Sequence, residues 1–152
     1  MDRAAVRAVA FVVMAATVWA CGSSPGGSPS EPRPGVVRIL VGGDVMLGRG
    51  VADVAAHDPW SIFSDVQTEV RSADIAIANL ESPLTRRPHV APTPNALEAD
   101  PSAARQLAAA GFDAVSIANN HAGDAGPGGI ADTLGALRGV GVLPLGGGLD
   151  AA

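Results

Sequence analysis

The chain contains no lysine and no tyrosine, a single cysteine, and only three phenylalanines and two tryptophans in 152 residues. Each scarcity excludes something. One thiol cannot close an intrachain disulfide, and without a thiolate cluster an iron–sulfur or other soft-metal centre is ruled out. With so few aromatics, a core has to be assembled from Val, Ile, Leu and Ala. The basic residues are all arginine, ten against fifteen acids, for a net charge of −5. No basic patch stands out, so nucleic acid is a poor partner. The excess of Ala, Gly, Pro and Arg over Lys reads as codon bias and not as a functional signal.

The apolar run Ala8–Val18 is too short to span a bilayer comfortably. Preceded by Arg3 and Arg7, it has the form of a secretory signal over residues 1–20. Ala20 before Cys21 resembles a lipoprotein cleavage site, with Trp19 an unusual residue at its position. Cys21 is therefore the expected lipidation site, and acyl chains there would hold the mature protein at the extracytoplasmic face of the cell membrane. Secretion without an anchor is the other reading. Residues 21–35, rich in Gly, Ser and Pro, are expected to form a flexible tether. The folded part is expected over residues 36–152.

Within that part, apolar β-branched runs alternate with helical patterns. Strands are expected at Val36–Val41, Asp74–Ala78, Ala114–Ala118 and Val140–Leu145. The pair Gly42–Gly43 is expected to stop the first, and Gly48 and Gly50 to keep the chain around Arg49 in a loop. Asp58 and Pro59 suggest a helix start, followed by Ile62, Val66 and Val70 on one face. A second helix is expected from Asp100–Pro101 to Gly111, and a third over Pro127–Arg138 with Ile130, Leu134 and Leu137 inward. Leu84–Ala99, with its prolines, Arg86–Arg87 and His89, reads as a loop. The alternation argues for an α/β fold with parallel strands and right-handed crossovers.

Parallel strands end on the same side of a sheet. Three of these strands run into ligand-capable residues: Asp44 after the first, Asn79–Glu81 after the second, and Asn119, Asn120, His121 and Asp124 after the third. Taken one at a time, Asp44 could be a turn residue and Glu81 a cap or loop ion pair. Four such residues within six positions, directly after an apolar strand, would be costly unless hydrogen-bonded or bound to an ion. Oxygen from Asp44, Glu81 and Asn120 with imidazole from His121 suits a hard or borderline metal. Arg49 could pair with an anionic substrate or be a solvated loop charge. His89, His57 and the Arg86–Arg87 pair read as surface or structural groups.

The segments GDVMLGR at Gly43–Arg49, NLESPLT at Asn79–Thr85 and SIANNHAGDAG at Ser116–Gly126 resemble the CapA family of capsule and poly-γ-glutamate synthesis proteins. Asp74 and Gly111–Asp113 fit the same pattern. The family is similar to the calcineurin-like metallophosphatases, which implies a four-layer α/β/β/α sandwich with only its N-terminal half present here. It also implies two divalent ions, of Mn, Zn, Mg or Fe. By that resemblance Asp44, Glu81 and Asn120 are metal ligands, His121 contacts the reacting group and can serve as general acid, and Asp124 orients it. Met46 stands where the metallophosphatases carry a histidine ligand, and NLE departs from their second motif, so phosphatase chemistry does not follow. The implied role is a metal-dependent hydrolase-like lipoprotein in synthesis, export or trimming of an anionic envelope polymer. A non-catalytic accessory or polymer-binding subunit of the synthesis complex is the alternative. The expected missing half would leave this chain weakly stable and inactive by itself.

Overall fold

A computed structural model describes residues 35–148 apart from 92 and 94. The expected signal segment, Cys21 and nearly all of the tether lie outside the described residues. The order of elements is β1 (Ile39–Val45), α1 (Arg49–His57), α2 (Gln67–Ser72), β2 (Ile75–Leu80), a 3-10 turn at Pro101–Ala103, α3 (Ala104–Ala110), β3 (Ala114–Ser116), α4 (Gly126–Gly139) and β4 (Leu143–Leu145). The four strands form one sheet in the order β1-β2-β3-β4, and every neighbouring pair is parallel. The chain is therefore α/β with its strand ends on one side, as the alternation of patterns implies.

Side-chain alternation divides the sheet into two unlike faces. Ala76, Ala78 and Leu80 of β2 and Val115 of β3 are buried, and they join Val70, Leu107, Leu134 and Leu137 from the helices in one core. Phe63 and Phe112 meet edge to face in that core, with ring centroids 5.5 Å apart. Small residues on β2 let the helices approach closely, which is how a chain with few aromatics still packs. The opposite face carries Ile39, Val41, Ile75 and Leu143, all exposed.

Three expectations are corrected. Gly42–Gly43 does not stop β1. The strand continues through it with a register shift between Val41 and Asp44, so Asp44 pairs with Asn79 inside the sheet. A side chain on Gly42 would meet the Ala78 Cβ at ordinary contact distance, so the strand passes through this glycine without a steric demand for it. The glycine-flanked stretch after Gly48 is helix α1, entered through Arg49 at φ 53. The helix expected from Asp58 begins only at Gln67. Before it, the Asp58 carboxylate accepts from Trp60 N, while the Ser61 and Ser64 hydroxyls donate to the carbonyls of Asp58 and Ser61. These local bonds offer the backbone a turn in place of a helix.

The later elements follow their signals. The Asp100 side chain caps Ser102 N, Pro101 occupies the first turn, and Gly111 closes α3 at φ 103. The loop 84–99 is fastened at its base, where Thr85 N donates to Ala99 O and Ala99 N to Pro83 O, both at 2.9 Å.

Candidate metal centre at the strand ends

The register of β1 against β2 sets Asp44 beside Asn79, and Glu81 follows directly after the last residue of β2. The Asn79 side-chain amide then donates to Asp44 Oδ1 at 2.8 Å and to Glu81 Oε1 at 3.0 Å. One nitrogen thus draws two carboxylates from adjacent strand ends together. The carbonyl end of Asn79 accepts from Asn119, whose amide also donates to Leu80 O. Asn119 Oδ1 in turn accepts from His121 N. The third strand end is tied to the second through this asparagine pair.

His121 completes the cluster. Its Nε2 stands 3.5 Å from Glu81 Oε2, and its Nδ1 lies 2.8 Å from Asp124 Oδ2. All three side chains are partly buried. A carboxylate on one ring nitrogen fixes the tautomer and orientation of the imidazole and leaves the other nitrogen for chemistry. Two carboxylates, an imidazole and nearby carboxamides form a donor set for a hard or borderline divalent ion. Asn79 bonds both acids through one nitrogen, so the donor chemistry gathered at the strand ends is of the kind that suits such an ion.

Asn120 is exposed and does not enter this hydrogen-bond network among the described residues. It lines an open cavity of about 540 Å³ with Asn119, Ala122, Ile130 and Gly146–Gly148, next to the cluster. Met46 is half-buried directly after β1. Arg49 is exposed at the start of α1, and its guanidinium makes no ion pair among the described residues. The turn leading to it is held by Ser82, whose buried hydroxyl accepts from Leu47 N at 2.9 Å and Gly48 N at 3.2 Å. Ser82 thus couples the residue after Glu81 to the approach of Arg49.

Sequence reasoning missed Asn79, Asn119 and Ser82 as organisers. Their position inside the motifs was the available signal, since each lies within two residues of a named ligand. It also read His89 as a surface group, whereas His89 is partly buried against Glu98 and Asp124. Thr85 and Thr133 serve the scaffold. Thr133 Oγ1 accepts from Leu84 N and donates to Gly129 O, and Thr85 Oγ1 donates to Asp132. Asp132 is held below the ordinary carboxylate range by Thr85 and then by Arg87.

The chain is similar to several known proteins. Two probable polyglutamine synthesis accessory proteins from Mycobacterium tuberculosis strains are each 29% identical over 154 residues, covering 78% of this chain and 40% of theirs. The PGA biosynthesis protein CapA of Bacillus subtilis is 31% identical over 130 residues, covering 84% of this chain and 34% of its own length. The chain therefore spans well under half of the curated relatives it matches. Residues 38–152, which include every strand and the whole cluster from Asp44 to Asp124, match the family described as bacterial capsule synthesis protein PGA_cap, and the chain belongs to that family.

Proposed function

We propose that the protein is a metal-dependent, hydrolase-like member of this family, acting in synthesis, export or trimming of a capsule or poly-γ-glutamate polymer. The observation that carries the reading is the double hydrogen bond from Asn79 to Asp44 and Glu81, with His121 against Glu81. Hydrogen-bonded carboxylates at parallel strand ends are suited to ion binding, and relatives named for polyglutamine synthesis and PGA biosynthesis support a role with such a polymer.

In this reading Asp44, Glu81 and Asn120 hold up to two divalent ions, whose contribution when bound is Lewis-acid polarisation of the scissile group. The protein's own groups do the rest. Asp124 holds Nδ1 of His121, so Nε2 is the atom that delivers a proton to the leaving group. Arg49 offers a guanidinium to a polymer carboxylate. The cavity beside Asn120 is the entry for an extended chain. The hydrophobic segment before Cys21 supports a lipid anchor on the extracytoplasmic face of the cell membrane. Palmitate labelling that disappears in Cys21→Ala would test that part.

The second reading is a non-catalytic accessory or polymer-binding subunit, and Met46 in place of a ligand favours it. The two are separated by measuring metal content, hydrolysis of poly-γ-glutamate and polymer binding in the wild type, Asp44→Ala and Asn120→Ala. Bound metal and hydrolysis that both vanish in the variants support the first. Polymer binding that survives both substitutions, without turnover in any form, supports the second.

A further inference from the structure

We propose that His89, Glu98 and Asp124 form a separate site for a borderline divalent cation such as Zn2+, joining the connection between β2 and α3 to the segment that follows the His121 turn. This goes beyond the strand-end site and does not depend on its being catalytic.

The geometry comes first. His89 Nδ1 lies 2.9 Å from Glu98 Oε1 and 3.8 Å from Asp124 Oδ2, and one donor atom from each residue falls within 4.8 Å of the others. Ligand atoms around a tetrahedral zinc stand about 3.4 Å apart, given bonds of about 2.1 Å. The three groups need only small side-chain rotations to reach that spacing.

Charge points the same way. Two carboxylates serve the site, Glu98 against His89 and Asp124 between His89 and His121, and with both rings neutral they leave it net negative. The side chains are 20%, 12% and 14% exposed for His89, Glu98 and Asp124, too enclosed for water to neutralise them fully. The two arginines of the same connection are engaged elsewhere, Arg86 with Asp100 at 2.7 Å and Arg87 with Asp132 at 2.9 Å. A mixed set of one imidazole nitrogen and two carboxylates suits zinc, manganese or cobalt better than calcium or magnesium.

The backbone is already set. Val90 N donates to Asp124 O at 2.7 Å, which fixes His89 beside Asp124. Glu98 precedes Ala99, which is held on both sides by Pro83 and Thr85. An ion would therefore find its ligands positioned at little ordering cost. Asp124 Oδ2 is also the atom that holds His121 Nδ1, so a cation here would bear on the orientation of His121 without touching it.

The test is Zn2+ titration of the chelator-stripped full chain by calorimetry, in the wild type, His89→Ala, Glu98→Gln and Asp44→Ala. The expected result is a Zn2+ binding event weakened about tenfold or more by His89→Ala and by the near-isosteric Glu98→Gln, but retained in Asp44→Ala. In Asp44→Ala as in the wild type, substoichiometric Mn2+ should broaden the His89 ring resonances, which separates this site from the adjacent strand-end one. Zn2+ affinity equal in all forms, or lost only in Asp44→Ala, or His89 resonances unmoved by Mn2+, would overturn the proposal and leave His89–Glu98 as a simple ion pair. Failure of the strand-end site would instead appear as loss of hydrolysis with this event intact.

Discussion

Glu81 and His121, forty positions apart in the chain, face each other with 3.5 Å between Oε2 and Nε2 because β2 and β3 are neighbouring parallel strands. The contact exists only if the strand ends are held in register, and Asn79 is the residue that holds them.

Asn79→Asp should test that directly. The substitution removes the amide that Asp44 and Glu81 share and adds a third carboxylate between them. Loss of these bonds should lower the stability of the metal-free protein by about 1–3 kcal/mol. Saturating divalent metal should return part of it, because a cation relieves the new repulsion. Urea midpoints with and without Mn2+ measure both effects. A variant as stable as the wild type would show that Asn79 does not organise the site.

How much of this was legible beforehand differs by element. β2, the turn and helix from Asp100 to Gly111, and α4 announced themselves through apolar periodicity, a capping acid, an early proline and a closing glycine. All of those signals act within a few residues of where they are read. The first strand and α1 are less legible because glycine reads as a stop, while β1 runs through Gly42–Gly43 and α1 contains Gly50. The stretch after Asp58 was misjudged because its serines bond to nearby carbonyls. In the site, Asp44, Glu81, His121 and Asp124 were visible as strand-end polar residues. Asn79 was visible there too, but its role as the link was not, nor was that of His89, since both depend on partners 35 positions away, Asp44 and Asp124.

Leu107→Ala probes the core. Leu107 is fully buried on α3 in the same cluster as Val70 and Phe112. Truncation removes buried methyl groups and leaves a cavity, with an expected cost of about 2–5 kcal/mol. Chemical denaturation measures it. A loss under 1 kcal/mol, on the order of a surface change, would mean that the helical layer is not packed on the sheet as described.

Gly48→Ala addresses a contact that no periodicity reveals. A Cβ at position 48 would run into the carbonyls of Leu97 and Glu98, which are backbone atoms and cannot rotate away. Overpacking of this kind should cost about 1–3 kcal/mol. It should also shift Glu98 and weaken Zn2+ binding, linking the β1–α1 turn to the His89 cluster. Thermal melting and the same calorimetric titration read the two effects.

The acid limb of stability has a named contributor. Hydrogen bonds from Ser102, then the Arg86 guanidinium, hold the Asp100 carboxyl at about 2, below its ordinary 3.8. A lowered folded value means that the contribution is complete above about pH 4 and disappears as pH falls through about 2. Asn at position 100 keeps a capping oxygen but loses the charge. The stability advantage of the wild type over Asp100→Asn should therefore be present at neutral pH and shrink across that acid window, followed by urea unfolding at a series of pH values. An advantage that grew on acidification would contradict the assigned cause. The effect is small in size because the Asp100 side chain is nearly half exposed.

The sheet face opposite the helices supplies the last prediction. Ile39, Val41 and Leu143 are each more than half exposed there, and Ile75 adjoins Ile39 in register. Adjacent apolar side chains on parallel strands form a continuous patch, and such patches favour association over solution. Ile39→Thr with Val41→Thr keeps the β-branched shape that strands favour and adds a hydroxyl to each exposed position. Neither residue contributes to the buried core, so stability should change by only about 0.5 kcal/mol per site. Light scattering and dye binding to exposed apolar surface should both fall in the double variant. A double variant that scatters as strongly as the wild type would place the source of association elsewhere. A large loss of stability would mean that this face is packed and not open.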